Sequence, residues 1–154
     1  MIEIERKFLV GDRPQVLSEL SGLPIRQGYL AVGSESEVRV RSKGEQMFLT
    51  VKSGRGLVRA EHEIVLDADQ FRVLWPATEG MRLEKNRYRV PVPGGVAEVD
   101  IYGGRLSGLM TAEVEFKTKE EARGFAPPPW FDDEVTEDDR FANRNLAVNG
   151  LPKG

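Results

Sequence analysis

The sequence predicts a mainly β (α+β) fold of about eight antiparallel strands, curled or closed on itself, with helices between some of them. Three observations carry that expectation. Short runs alternate apolar and polar residues, the period of a strand with one buried face. Turn-forming residues recur at short intervals between the runs, which suits sequential antiparallel pairing. The polar positions of those runs are charged to an unusual degree, and eight strands in one small domain favour a curled or closed sheet.

The elements follow in order. The opening run from Met1 to Val10 sets Glu3, Glu5 and Lys7 on one face, with Ile2, Ile4 and Phe8 between them. Asp12-Arg13-Pro14 predicts a short helix to about Leu20, with Asp12 as cap and proline in its first turn. Ile25 to Val32 and Ser36 to Ser42 are strands around the turn Gly33-Ser34, and Lys43-Gly44-Glu45 turns into the strand Gln46 to Lys52. Ser53-Gly54-Arg55-Gly56 is a flexible connection to a strand over Leu57 to Leu66. Asp67-Ala68-Asp69 opens a helix carrying Phe71, Leu74 and Trp75, ended by Pro76 and Gly80. Strands over Met81 to Val90 and Val96 to Tyr102 flank the turn Pro91 to Gly95, and Thr111 to Lys117 is the last. Lys119 to Gly124 is helical, Pro127-Pro128-Pro129 is rigid and extended, and a terminal helix runs over about 138–148.

The 154 residues suffice for one domain that buries roughly two-thirds of its unfolded surface. Charged residues make up 31% and hydrophobic residues 40%, as in a soluble globular protein. Cysteine is absent, which excludes disulfides and thiolate metal sites. No apolar run approaches the roughly 20 residues that span a bilayer, and no signal-peptide pattern precedes the first strand. A cytoplasmic location with no membrane partner is therefore expected. The net charge of −3 argues against a nucleic-acid surface built on bulk basicity, while leaving room for a local basic pocket.

Two architectures produce these charged faces: an open sheet with its charged side in water, or a barrel with that side turned inward. Composition does not choose between them. The arrangement of charge favours the inward one. Acidic residues recur two apart at Glu3/Glu5, Glu61/Glu63, Glu98/Asp100 and Glu113/Glu115. Like charges at that separation repel, and a divalent cation gives a reason for them. Basic residues gather at Arg39/Arg41, Lys52, Arg59 and Lys85/Arg87, which suits a ligand with several negative charges. One cavity with both sets would take a metal–polyphosphate complex.

The ordered set Glu3-Ile4-Glu5-Arg6-Lys7, Arg39-Val40-Arg41, Lys52, Arg59-Ala60-Glu61-His62-Glu63, Glu84-Lys85-Asn86-Arg87-Tyr88 and Glu113-Val114-Glu115-Phe116 resembles the triphosphate tunnel metalloenzymes, the CYTH superfamily, along essentially the whole chain. Arg26-Gln27-Gly28-Tyr29-Leu30, the stretch from Leu74 to Gly80, and Pro127 to Phe131 with Glu137-Asp138 resemble its compact bacterial branch. The resemblance implies an eight-stranded antiparallel β-barrel tunnel with a charged lumen and helices outside. It implies divalent metal (Mg2+ or Mn2+), a triphosphate substrate, and a single domain over 1–154; a homodimer is common among such relatives. Hydrolysis of inorganic tripolyphosphate to pyrophosphate and phosphate is the first expectation. The alternatives are a nucleotide-directed enzyme, either a nucleoside triphosphatase or an adenylate cyclase, and a non-catalytic polyphosphate-binding module.

The resemblance also suggests roles. Glu3, Glu5 and Glu115 would hold the main metal with Glu113 beside them. Glu61, Glu63 and Asp100 would hold a second ion or orient the nucleophile, with Glu98 nearby. Lys7, Arg39, Arg41, Lys52, Arg59, Lys85 and Arg87 would hold triphosphate oxygens. Lys85 and Tyr29 are the catalytic candidates, Lys85 near the attacking water and Tyr29 orienting it. Interstrand salt bridges without any ligand are the competing reading, but burying so many charges for stability alone is a poor design. His62, the one histidine, falls on the apolar face, and Trp75 and Trp130 are read as packing residues. Arg140 and Arg144 either close a tunnel mouth or lie on a solvated helix face.

Overall fold

The structure, a computed structural model, describes residues 2–54 and 57–153. Met1, Arg55 and Gly56, which the sequence assigned to the first strand and a connection, lie outside the described residues. The strands are β1 (Ile2–Leu9), β2 (Leu23–Val32), β3 (Ser36–Lys43), β4 (Gln46–Ser53), β5 (Val58–Leu66), β6 (Arg82–Val92), β7 (Gly95–Tyr102) and β8 (Met110–Phe116). They close into an antiparallel barrel in the order β1-β5-β4-β3-β2-β6-β7-β8. Of the two architectures open to the sequence, the closed one is found.

Every ladder is antiparallel, so the two-residue period of each strand is kept around the ring. Pairs such as Glu37↔Lys52, Thr50↔Glu63 and Arg87↔Asp100 bring the charged faces together on the inside. The β2–β3 register slips between Tyr29 and Ala31, a bulge that sits next to Tyr29 in the lumen.

The outer face is covered unevenly. One apolar cluster joins Phe8, Val99, Val114 and Phe116 of the strands to Leu17, Ala122, Phe125 and Phe131. A second lies inside instead: Leu83 and Tyr102, on the faces of β6 and β7 that carry Lys85 and Asp100, pack with Leu106 against Leu146 and Ala147 of α3 (Asn143–Asn149). A third sets Val40 and Leu66 under Phe71 of α1 (Ala68–Leu74). Helices do not blanket the rest: Ile2 and Ile64 are about 60% exposed, at 61% and 60%, and His62 is exposed beside them.

Helix α1 carries the capping box, Asp67 accepting from the Gln70 amide while the Gln70 side chain accepts from the Asp67 amide. Helix α2 (Lys119–Gly124) stands where it was expected, capped by Thr118. Two expected helices differ. The one after Asp12 is a 3-10 turn over Gln15–Glu19. Pro14, extended at ψ 135, takes the capping position instead of Asp12, and Leu17 anchors the turn in the core. The terminal helix is split into a 3-10 turn over Asp139–Phe141 and α3, with Ala142 extended between them at ψ 136. The break turns the Phe141 carbonyl inward, where the Lys7 Nζ donates to it at 2.7 Å.

Candidate active site

The lumen holds a cavity of about 220 Å³. Its lining, apart from Tyr29, Ala142 and Asn143, is made of Glu, Lys and Arg alone: eight acids against seven bases. Alternation puts them there, from Glu3, Glu5 and Lys7 of β1 through Glu37, Arg39, Arg41 and Lys43 of β3 to Glu113 and Glu115 of β8. The other mouth-facing residues come from the C-terminal segment. Asn143 accepts from the Tyr102 hydroxyl at 2.6 Å, and Arg144 reaches Glu37 at 3.7 Å, so the Arg144 side chain enters the mouth of the tunnel. Arg140 stays exposed, paired with Asp138.

Arg39 and Arg41 face their glutamates without closing into tight pairs, whereas Lys52 closes on Glu3. Arg39 to Glu61 and Arg41 to Glu63 are each 3.7 Å, Arg59 to Glu5 is 3.8 Å, and Lys52 to Glu3 is 3.1 Å. The buried Nε donors of Arg39 and Arg41 and the Oε1 of Glu3 have no hydrogen-bond partner. Such atoms are expensive to bury unless a ligand meets them.

The carboxylates crowd one another. Glu5 stands directly opposite Glu115 across β1 and β8, and Glu98 opposite Glu113 across β7 and β8. Burial first, then Glu113 and Glu3, push the Glu5 carboxyl up to about 8, against the pull of Lys52 and Arg59. Burial and Glu61 likewise raise Glu3, and burial with Glu3, Glu98 and Glu113 raises Glu115. Glu113 moves the other way, to about 2: burial opposes it, but Lys7, Lys52, Arg87 and Arg59 prevail. A carboxyl that keeps its proton near neutrality is a site short of positive charge. These all-oxygen donors fit a hard divalent cation, which keeps waters and phosphate oxygens in its shell. Among the described residues no three acids already converge as a finished metal site, so the substrate would have to complete it.

Asp100 and Lys85 lie behind the lining. The Arg87 Nε and Nη2 bond both Asp100 oxygens at 2.8 and 2.9 Å, and Lys85 Nζ lies 2.8 Å from Oδ2. With both oxygens taken, Asp100 is placed as the clamp on two cations rather than beside the other expected ligands. Lys85 Nζ approaches Asp100 off the hydrogen-bond direction and has no bonded acceptor. Burial drives its amine down to about 7, outweighing Asp100. The same carboxyl raises Arg87 despite burial, while Lys85 and Arg87 together hold Asp100 far below the usual carboxylate range. Tyr29 is fully buried in the lumen wall and its hydroxyl accepts from Gln27 Nε2 at 2.7 Å.

Gln27, Lys43, Glu37 and Asn143 belong to the site without having been assigned to it, and of the two readings of Arg144 the tunnel mouth is the one found. Gln27 and Lys43 continue the two-residue steps to Tyr29 and from Arg41, so alternation could have found them. Asn143 depends on the break at Ala142 and carries no local signal. Trp75, half-buried, stacks on Phe71 at 5.1 Å, and Trp130 meets Phe131 edge-on at 4.6 Å.

A family model described as the CYTH domain matches residues 1–126. An inorganic triphosphatase of Nitrosomonas europaea is 51% identical over 151 residues, 97% of this chain and 99% of that protein. An inorganic triphosphatase of Acetivibrio thermocellus is 37% identical over 96% of this chain and 94% of its own length. The crystal structure of the inorganic triphosphatase NE1496 superposes with a TM-score of 0.72 at 47% identity, covering 97% of each chain.

Proposed function

The chain belongs to the CYTH domain family, and on that footing we propose that it hydrolyses inorganic tripolyphosphate to pyrophosphate and phosphate in its tunnel, with Mg2+ or Mn2+. One observation carries the reading: Arg39 and Arg41 stand 3.7 Å from the glutamates they face, with their buried Nε donors unmet. Seven bases alone would suit a bare polyanion, but eight carboxylates would repel it. A triphosphate that arrives with divalent cations satisfies both sets.

Arg39, Arg41, Lys52, Arg59 and Lys7 would hold phosphoryl oxygens, Arg87 doing so from its clamp on Asp100. Glu3, Glu5, Glu113 and Glu115 would hold the metal, and Glu61 and Glu63 a second ion or the water. Bound metal would polarise phosphoryl oxygens and lower the pKa of a coordinated water. The reaction is in-line attack of water on a terminal phosphorus, the P–O bond to the remaining pyrophosphate breaking as the new one forms. Most of the rate comes from alignment and from positive charge around the equatorial oxygens. Lys85, its buried amine driven down to about 7, would take the proton of the attacking water, which Tyr29 orients.

Tripolyphosphate is preferred to a nucleotide because the lining offers a base no aromatic face: Tyr29 is its one ring and is fully buried. The role of α3 in closing the mouth supports one domain over 1–154. The net charge of −3 supports a small-molecule substrate over nucleic acid, and the absence of cysteine accords with a cytoplasmic location. No helix among the described residues is long and apolar enough to cross a membrane. The uncovered outer face of β5 supports a homodimer.

The test is phosphate release from tripolyphosphate, ATP, thiamine triphosphate and longer polyphosphate, each with magnesium or manganese and with a chelator. Tripolyphosphate should be fastest, and chelation should stop it. Equal turnover of ATP would favour the nucleotide-directed reading, and tight retention of tripolyphosphate without release would favour a binding module.

A further inference from the structure

Outside the barrel, behind the strands that carry Gln27, Tyr29 and Lys85 inward, lies a second pocket of about 230 Å³ that the tunnel chemistry does not use. Its walls include Arg26, Trp75, Arg82, Glu84, Gly103 and Arg105. Three guanidiniums against one carboxylate make it a positive spot on a chain of net charge −3.

These arginines are held in place by contacts other than acids. Arg26 and Arg82 lie 4.8 and 4.5 Å from the centre of the Trp75 ring. Arg82 also donates from Nε to Thr78 Oγ1 at 2.9 Å and from Nη2 to the Trp75 carbonyl at 2.8 Å. Arg105 donates from Nη2 to the Ala147 carbonyl at the end of α3. Among the described residues none of the three makes an ion pair with a carboxylate. Arg26 is the neighbour of Glu84 across β2 and β6, yet the two do not close. Fixed forks with spare N–H groups lose little freedom on meeting an oxyanion. Gly103 and Gly104 keep the floor low, since a Cβ at either would come within 3.4 Å of the Glu84 carboxylate.

We propose that this Arg26–Arg82–Arg105 pocket on the indole of Trp75 is a second site for a free phosphate oxyanion, orthophosphate or pyrophosphate. The inference does not depend on the reaction in the tunnel: a phosphate anion fits because three guanidiniums line one small pocket, and Trp75 sits in its wall as a reporter.

The full-length chain with Trp130→Phe keeps Trp75 as its sole tryptophan. Its emission is followed in chelator while pyrophosphate, phosphate or, at equal ionic strength, chloride is added. Pyrophosphate and phosphate should give a saturable change that chloride does not. Arg26→Ala and Arg105→Ala, both at exposed positions, should each weaken it by about tenfold, and Glu84→Gln should tighten it. Turnover of tripolyphosphate should stay within about twofold of the parent, the range of surface changes outside a site. Flat emission, an equal response to chloride, or a response that survives in the Arg26→Ala/Arg105→Ala pair but disappears with Lys52→Ala in the tunnel would overturn the proposal. If the pair of substitutions fails to fold, Arg26→Ala alone decides.

Discussion

Arg87 and Arg41 face the same lumen from strands two apart in the barrel, yet they are held in opposite ways. Arg87 is gripped through two bonds by buried Asp100, at 2.8 and 2.9 Å. Arg41 is left with an unmet Nε and a glutamate 3.7 Å off. Asp100 raises the affinity of Arg87 for its proton against the effect of burial, whereas burial, Arg39 and Arg87 push Arg41 down to about 10. One arginine is part of the wall. The other is held ready for something the chain does not supply. These two arginines thus divide into a structural cation and a ligand-binding one, and pairing distance tells them apart.

The sharpest way to break that division is Asp100→Ala. It takes the carboxylate from buried Lys85 and leaves Arg87 only Glu98 at 3.5 Å, which should destabilise the protein by about 3–5 kcal/mol in denaturant unfolding. Arg41→Ala should change stability little or raise it, because it removes a cation crowded by Arg39 and Arg87. Equal losses from the two substitutions would erase the distinction.

The same Arg41→Ala should act on function instead. Removing one preorganised donor to developing phosphoryl charge should lower kcat/KM for tripolyphosphate by about 10²–10³. A variant that is stable and fully active would put Arg41 on the structural side. Arg39→Ala, with the same loose pairing to Glu61, makes the independent repeat.

Lys85 lies between the two classes, close to Asp100 but not bonded to it, and pH separates its roles. Its folded pKa of about 7 is below the 10.5 of the unfolded chain, so between those values the unfolded form holds more protons. Its burial cost is therefore largest below about pH 7 and fades as pH rises. Activity should move the same way if the neutral amine takes the proton: kcat rises about tenfold per pH unit below 7 and then levels. Lys85→Ala should remove that limb. A profile unchanged in the variant would return Lys85 to the wall beside Asp100.

Much of this was legible from two-residue spacing. Glu3/Glu5, Arg39/Arg41 and Glu113/Glu115 reach the lumen because alternate residues of a strand must share a face, and the same step runs on unread to Lys43 and back to Gln27. The pairing distances were not legible. Nothing in Arg87 or Arg41 themselves tells which has a buried carboxylate opposite, since that depends on register across strands. The broken terminal helix was hidden for a related reason: the Phe141 carbonyl is bonded by Lys7, 134 residues earlier in the chain. A local sequence pattern cannot report so distant a donor. Periodicity left open whether the sheet closes; the clustering of acids and bases favoured closure, and the family resemblance implied it.

The smallest effect is expected at Glu63, and it tests the lower end of the comparison. Its side chain is 34% exposed at the tunnel wall, it sits 3.7 Å from Arg41, and it accepts from Thr50 Oγ1 at 3.0 Å. A loose, partly solvated pair of this kind contributes about 0–1 kcal/mol and is screened by salt. Glu63→Gln keeps the shape and an acceptor for Thr50, so unfolding should shift by no more than about 0.5 kcal/mol, less still in high salt. Asp100→Asn is the matching isosteric change in the tight cluster and should cost several times more, because two buried cations lose their counter-charge while the side-chain volume stays the same. If both isosteric variants unfolded alike, distance and burial would not be what separates the two classes of charge, and the lumen would have to be treated as one averaged ionic network.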